Sequence, residues 1–318
     1  MKNYSNAHIT LALPNVSYSD NTLFDAARAH LSVAKTLAKA KHRNVKPGEA
    51  MLFNVLTGSM EIPPHAAISA LGQGFQGHDG WWLRIDPVEF LVDAGNVCLI
   101  GRDHLLLEEH EVQALITDLN AFLEEDQLVI RYGSLHEWYI QLPSQEYLVT
   151  RPLYEVMAHD IRAFLPQGTN QKWWHKILTE LQMLLFQHAV NAQRQKLGKP
   201  LVNGVWPWGE GKIEKTYKLK NYTKFWSENS FVKGMLALSG SSQTVTSAEG
   251  FLKATEEEGH HFISLEHNQL PLETLQQTII QLLEKIHNRQ IRSLEICLGN
   301  GSIYKWQVSK LRLFNLRK

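Results

Sequence analysis

Apolar positions recur at helical spacing most persistently between Trp173 and Leu197. Trp174, Ile177, Leu178, Leu181, Leu184, Leu185 and Ala192 fall on one side together with His188, and Lys176, Glu180, Gln187 and Gln195 lie between them. The pattern predicts one amphipathic helix with a buried face, ended by Gly198, which suits a left-handed cap, and by Pro200. At a rise of about 1.5 Å per residue, such a helix crosses a whole domain, and it is read as the central core helix. Two tryptophans, a proline and two glycines then crowd into Trp206-Pro-Trp-Gly-Glu-Gly211, read as a packed corner leading into the next element.

Elsewhere the period changes repeatedly. His8 to Leu13 reads as a strand stopped by Pro14, and Asp25 to Arg43 as a helix. Short helices are expected from Pro47 to Leu56 and from Pro63 to Leu71, followed by a glycine-rich loop from Gly72 to Gly80. Trp81 to Ile85, Val88 to Val92 and Val97 to Ile100 read as three strands, with Asp93-Ala-Gly-Asn96 as a hairpin turn. Glu108 to Leu123 is an amphipathic helix with acidic residues at its amino end, and Leu128 to Tyr132 and Trp138 to Leu142 are a strand pair. Beyond Gly211 the pattern predicts a strand over Phe231–Leu238, a helix over Ser247–Glu258, a strand over Phe262–Leu265 and a helix over Leu272–His287. A last strand pair flanks Gly299-Asn-Gly301. The expectation is an α/β chain with a mixed sheet flanked by helices and containing hairpins. It forms either one large domain over 1–318 or two lobes, 1–170 and 171–318, with an alternative division near residue 210.

Charge and composition narrow the function classes. Lysine plus arginine equals aspartate plus glutamate, 32 each, so overall charge gives no case for a polyanion partner, and a nucleic-acid partner is not expected. The only cysteines are Cys98 and Cys297, far apart, which is neither a disulfide framework nor a zinc-finger spacing. Met1 to Asn6 lacks the apolar core of a signal peptide, and no window approaches the ~18 apolar residues of a membrane span, so a cytoplasmic protein without a membrane partner is expected.

Candidate chemistry is sparse. Arg84 and Asp86 share a strand face, where they can form an ion pair fixing the strand end or present an arginine fork to a phosphate or carboxylate. Asn203 and the backbone amides of Gly209 and Gly211 can hold an anion against a wall made by Trp206 and Trp208. Glu258, His260, His261, Glu266 and His267 form the densest group of potential metal ligands. On one strand, however, His261 and His267 face one way and His260 and Glu266 the other, so other segments would have to complete a site. His188 on the apolar helix face reads as a hydrogen-bonded core histidine. Lys212, Lys215, Lys218, Lys220 and Lys224 interleave with Tyr217, Tyr222, Phe225 and Trp226, a weak nucleic-acid signal beside the plainer reading of a solvated loop.

Leu83-Arg-Ile-Asp-Pro-Val88, Leu119-Asn120, Trp138-Tyr139, Leu165-Pro-Gln-Gly168, Glu180-Leu-Gln-Met-Leu-Leu185 and Asn203 to Gly211 together resemble the RpfE-type regulatory proteins of bacteria, over roughly residues 80 to 211. That family is similar to the cofactor-independent, archaeal-type phosphoglycerate mutases of the alkaline-phosphatase superfamily. The resemblance implies their α/β fold and raises phosphomutase or phosphatase activity. Such enzymes need two divalent metals held by several Asp and His residues after strand ends. Here the first strand runs into Leu13-Pro-Asn15, the late strand runs into Gly299-Asn-Gly301 where an Asp-His pair is expected, and Glu266-His267 is a poor remnant of the usual spacing.

The expectation is therefore a non-catalytic or degenerate mutase-like protein that binds a small phosphorylated ligand or a protein partner in a regulatory role, with no cofactor. The alternative is a metal-dependent phosphomutase or phosphatase with rearranged ligands, in which a divalent metal sits near His261 and His267. A weaker alternative is nucleic-acid binding.

Overall fold

The computed structural model describes residues 6–14, 19–30, 32–76, 80–93, 95–101, 104–142, 148–157, 159–240, 245–247, 250–266 and 271–308. The chain forms two compact units, one comprising Met1–Ile62 and Tyr217–Lys318, the other Pro63–Thr216. The second unit is thus inserted into the first in sequence.

The first unit opens with β1 (Ala7–Leu13), α1 (Asp20–Ala29), α2 (Ala34–Leu37), β2 (Lys41–Asn44) and α3 (Glu49–Thr57). The inserted unit carries α4 (His65–Gly72), β3 (Trp81–Asp93), β4 (Asn96–Ile100), α5 (Glu109–Leu123), β5 (Ile130–Ser134) and β6 (Glu137–Leu142). It continues through β7 (Leu148–Val149), α6 (Leu153–Val156), β8 (Gln167–Gly168), α7 (Gln171–Gln187), α8 (Ala189–Lys196) and β9 (Gly204–Gly211). The first unit then resumes with β10 (Lys224–Trp226), α9 (Ser230–Leu238), β11 (Val245–Thr246), β12 (Gly259–Ser264), α10 (Leu272–His287), β13 (Ser293–Leu298) and β14 (Ser302–Gln307).

In the first unit the seven-stranded sheet runs β11-β10-β12-β1-β13-β14-β2. The first five are parallel, while β14 is antiparallel to both β13 and β2, so the sheet is mixed. β1 is central and almost wholly buried, as a parallel strand covered on both faces must be. Its odd positions Ile9, Leu11 and Leu13 join Ile263, Leu294, Ile296 and Leu298 in a core sealed by Leu23 and Phe24 of α1 and Leu275, Ile279 and Leu283 of α10.

The spine of the inserted unit is β3, which pairs with β6 from Trp81 to Arg84, with β9 from Trp82 to Val88 and with β4 from Glu89 to Asp93. The two strands expected on either side of Pro87 are therefore one. Pro87, which has no N–H to donate, lies past the last residue paired with β6 and before the first paired with β4. Both predicted hairpins form, β3–β4 and β13–β14.

Three other expectations change. Asp25–Arg43 is not one helix but α1, α2 and β2, and Ser247–Glu258 keeps only a short 3-10 turn at Phe251–Thr255 among the described residues. Phe231–Leu238 is helical: its apolar residues resemble a strand in composition, but Phe231, Val232, Met235 and Leu236 are buried at helical spacing. The Asn229 side chain caps the helix by accepting from the Val232 N–H at 3.1 Å.

The long helix expected from Trp173 to Leu197 is two. Trp174, Ile177, Leu181 and Leu185 do pack into the core of the inserted unit, with Leu83, Ile85, Trp138 and Leu115. At His188 the backbone turns extended, with φ −68° and ψ 140°, and a second helix begins. His188 Nδ1 accepts from the Val190 N–H at 3.1 Å, capping the new helix, while Nε2 lies 3.0 Å from the Asp118 carboxylate. Beyond the break, α8 turns Asn191 and Arg194 inward. Asn191 bridges the Leu185 and Val202 carbonyls at 2.7 Å each, and fully buried Arg194 donates to Glu111 at 2.5 Å and to the carbonyls of Pro200 and Leu105. Polar residues thus anchor α8, which is why apolar periodicity does not reveal the break.

Candidate functional site

From β10 the chain runs outward to β11, whereas from β12 it crosses β1 to β13, so the direction of winding reverses between β10 and β12. In open α/β sheets the crevice beyond the carboxyl ends of the strands at such a reversal is the usual place for a ligand. Ser227 and Asn229 follow β10, and Ser264 and Glu266 end and follow β12. Ser227 Oγ accepts from the Asn229 N–H at 3.0 Å, and Asn229 Nδ2 donates to Glu266 Oε1 at 2.6 Å. Glu266 is half-buried and tied to the residue that caps α9, so its carboxylate lies where the helix dipole favours negative charge. Ser264 is 1% exposed, and its hydroxyl makes no hydrogen bond among the described residues.

The neighbouring strand ends are tied to α1. Asp20 accepts from the Tyr304 hydroxyl at 2.5 Å and from the Asn300 amide, so the β13–β14 hairpin docks on the start of that helix. Burial opposes the charge of Asp20, but hydrogen bonds from Tyr304, Asn300 and Ser302 outweigh it and hold the carboxyl below its ordinary pKa. Gly299 fits here because a Cβ would run into the Pro14 carbonyl at the end of β1.

Sequence reasoning placed its leading binding residues in the inserted unit, and the structure assembles them inside its sheet. Arg84 and Asp86, 1% and 0% exposed, form a two-pronged ion pair with both N–O distances 2.8 Å. Arg84 also donates to Glu137 at 3.1 Å and is stacked between Tyr139 and Trp208, each ring centre 5.0 Å away. Burial opposes its charge, yet Asp86, then Glu137 and Tyr139, push the guanidinium above its ordinary pKa. Trp208 donates to Asp86 at 2.9 Å and Trp206 to the Arg151 carbonyl at 2.7 Å. Asn203 accepts from the Phe90 N–H at 2.6 Å and donates to the Phe90 carbonyl at 2.9 Å, a side chain acting as one more rung of the ladder. Gly209 has φ +73° and Gly211 φ +140°, and a Cβ on Gly211 would crowd Pro64.

The histidine group does not converge. His261 faces the core between β1 and β10, bonded to the Glu257 carbonyl at 3.2 Å, and burial lowers its pKa, keeping it neutral at pH 7. His260 stacks on His8 with ring centres 4.1 Å apart, and His267 lies outside the described residues. Among the described residues no group of three or more His, Cys, Asp or Glu is placed to hold a metal ion. The lysine and aromatic stretch closes the carboxyl end of α3. The Lys220 N–H reaches the Leu56 carbonyl at 2.8 Å, Lys220 Nζ the Asn54 carbonyl at 3.3 Å and the Tyr222 hydroxyl the Val55 carbonyl at 3.0 Å. Of Ser227, Asn229, Ser264 and Glu266 at the ends of β10 and β12, the sequence singles out only Glu266. Asn229 carried a legible signal as a capping residue before a helix, obscured by reading that helix as a strand.

The fold is that of a mixed α/β protein, its sheet flanked by helices, and the chain has a distant similarity in sequence to cofactor-independent phosphoglycerate mutases. No family model matches the chain. A 2,3-bisphosphoglycerate-independent phosphoglycerate mutase of Methanosarcina mazei is 30% identical over 74 residues, which is 23% of this chain and only 19% of that protein. In structure the chain is similar to a protein of Pyrococcus horikoshii, PH0037, with a TM-score of 0.50 and 12% identity over 95% of this chain and 87% of that one. It is also similar to the cofactor-independent phosphoglycerate mutase of Thermoplasma acidophilum, with a TM-score of 0.39 and 12% identity over 94% and 89% of the two chains. At 12% identity the likeness to PH0037 is one of fold. No helix among the described residues is long and apolar enough to cross a membrane.

Proposed function

We propose that this chain keeps the phosphoglycerate-mutase-like fold without its two-metal chemistry and acts by binding a small phosphorylated ligand in a regulatory role, as its resemblance to RpfE-type proteins suggests. The observation that carries the reading is how the carboxylates that follow β1 and β12, Asp20 and Glu266, are used. Asp20 is committed to Tyr304 and Asn300, and Glu266 to Asn229. Two-metal phosphoryl transfer needs several carboxylates and imidazoles converging on ions roughly 3.5–4 Å apart. At the reversal between β10 and β12 the chain offers instead the Asn229 amide and the amino end of α9, groups that bind an anion without reacting with it.

Titration calorimetry with 3-phosphoglycerate and with inorganic phosphate, with and without a chelator, tests this. Saturable binding unaffected by chelation is expected, and Glu266→Gln should tighten it by removing a negative charge beside the ligand. Binding only in the presence of a divalent ion, or Glu266→Gln without effect, would contradict the reading.

A further inference from the structure

We propose that the outer edge of β2 is a docking site for an acidic, extended polypeptide segment, which joins the seven-stranded sheet as a further strand. β2 is the last strand of that sheet, and among the described residues it pairs only with β14. All four of its residues, Lys41, His42, Arg43 and Asn44, are exposed. An edge strand presents a row of main-chain donors and acceptors ready for another strand.

Charge identifies the occupant. From Ala26 to Gly48 the chain carries Arg28, Lys35, Lys39, Lys41, Arg43 and Lys46 and no aspartate or glutamate, although the whole protein balances 32 basic against 32 acidic residues. Lys35, Lys39, Lys41 and Lys46 are exposed, and exposed Lys305 of β14 stands directly opposite Lys41. Arg43 reaches back across β14 to Glu295 and to Asn54, so an added strand with acidic residues would meet Lys41, with Lys39 and Lys46 at the two ends of β2. A second copy of β2 would bring two sets of basic side chains together, which cross-strand repulsion disfavours. A nucleic acid could match the charge but could not use the main-chain edge. Edge lysines ordinarily prevent strand-to-strand aggregation, and the same charges that reject a like edge select an acidic one.

The test uses the full chain and a fluorescent heptapeptide alternating glutamate and valine, read by anisotropy and by amide hydrogen exchange across residues 41–44. Binding is expected, with slowed exchange in β2. A peptide of equal charge with its central valine replaced by proline should bind much more weakly. The triple variant Lys39→Gln, Lys41→Gln, Lys46→Gln, all surface changes, should weaken binding by roughly tenfold while unfolding at the same temperature. Arg43 is left intact because it donates to Asn54 at 3.1 Å and pairs with Glu295 at 3.6 Å. The proposal is overturned if the peptide does not bind, if the proline peptide binds as tightly, if exchange in β2 is unchanged, or if an oligothymidylate of equal charge binds more tightly than the peptide.

Discussion

Arg84 illustrates how far a residue pair can be read from spacing alone. Its separation from Asp86 by one residue predicts a shared strand face, which the ion pair bears out. Spacing could not reveal Glu137 and Tyr139 of β6 and Trp208 of β9, which complete its surroundings from two other strands. Removing one partner of a buried pair leaves the other uncompensated, so Arg84→Met should cost about 3–5 kcal/mol in urea denaturation followed by tryptophan fluorescence. Replacing both, as Arg84→Met with Asp86→Leu, should recover part of that loss. A residue whose main task was to hold a ligand would show little change in stability. At Asp20 the prediction concerns pH. Its carboxyl is held below its unfolded value near 3.8, so the stability it contributes is complete above that value and is lost as pH falls through the lower folded one. The stability gap between the wild type and Asp20→Asn should be constant above about pH 5 and close below it, as read by denaturant titration at successive pH values.

Elements were legible where a buried face is apolar and illegible where polar residues fix the structure. α5 and α10 follow their apolar period, and both hairpins follow their turn residues. The division of α7 from α8 was hidden because Asn191 and Arg194 are the buried residues of the second helix and His188 supplies its cap. His188→Ala should lower stability by about 1 kcal/mol, and His188→Asn should restore most of it, because asparagine also accepts from an amide N–H at a helix start. Equal losses for the two would assign the role of His188 to its contact with Asp118. Gly299→Ala offers a second check. The added methyl group meets the backbone carbonyl of Pro14, which cannot rotate aside, so a lower unfolding temperature is expected by calorimetry.

For the whole molecule, the α/β class and mixed sheet could be read from alternating periods and hairpin signals, but the insertion could not. Neither Pro63 nor Thr216 lies in a linker of distinctive composition, and the strands that close the first sheet come from both ends of the chain. Parallel pairing between β1 and strands more than 200 residues away leaves no local trace. The sheet reverses its winding between β10 and β12, while Asp20 and Glu266, which follow β1 and β12, are bonded to amides and a phenol. The most direct test is turnover by the purified full chain of a generic phosphate monoester and of 3-phosphoglycerate, with manganese or magnesium added in excess. No metal-dependent turnover of either is expected. Metal-dependent hydrolysis or mutase activity that disappears with a chelator and returns with the ion would contradict this expectation.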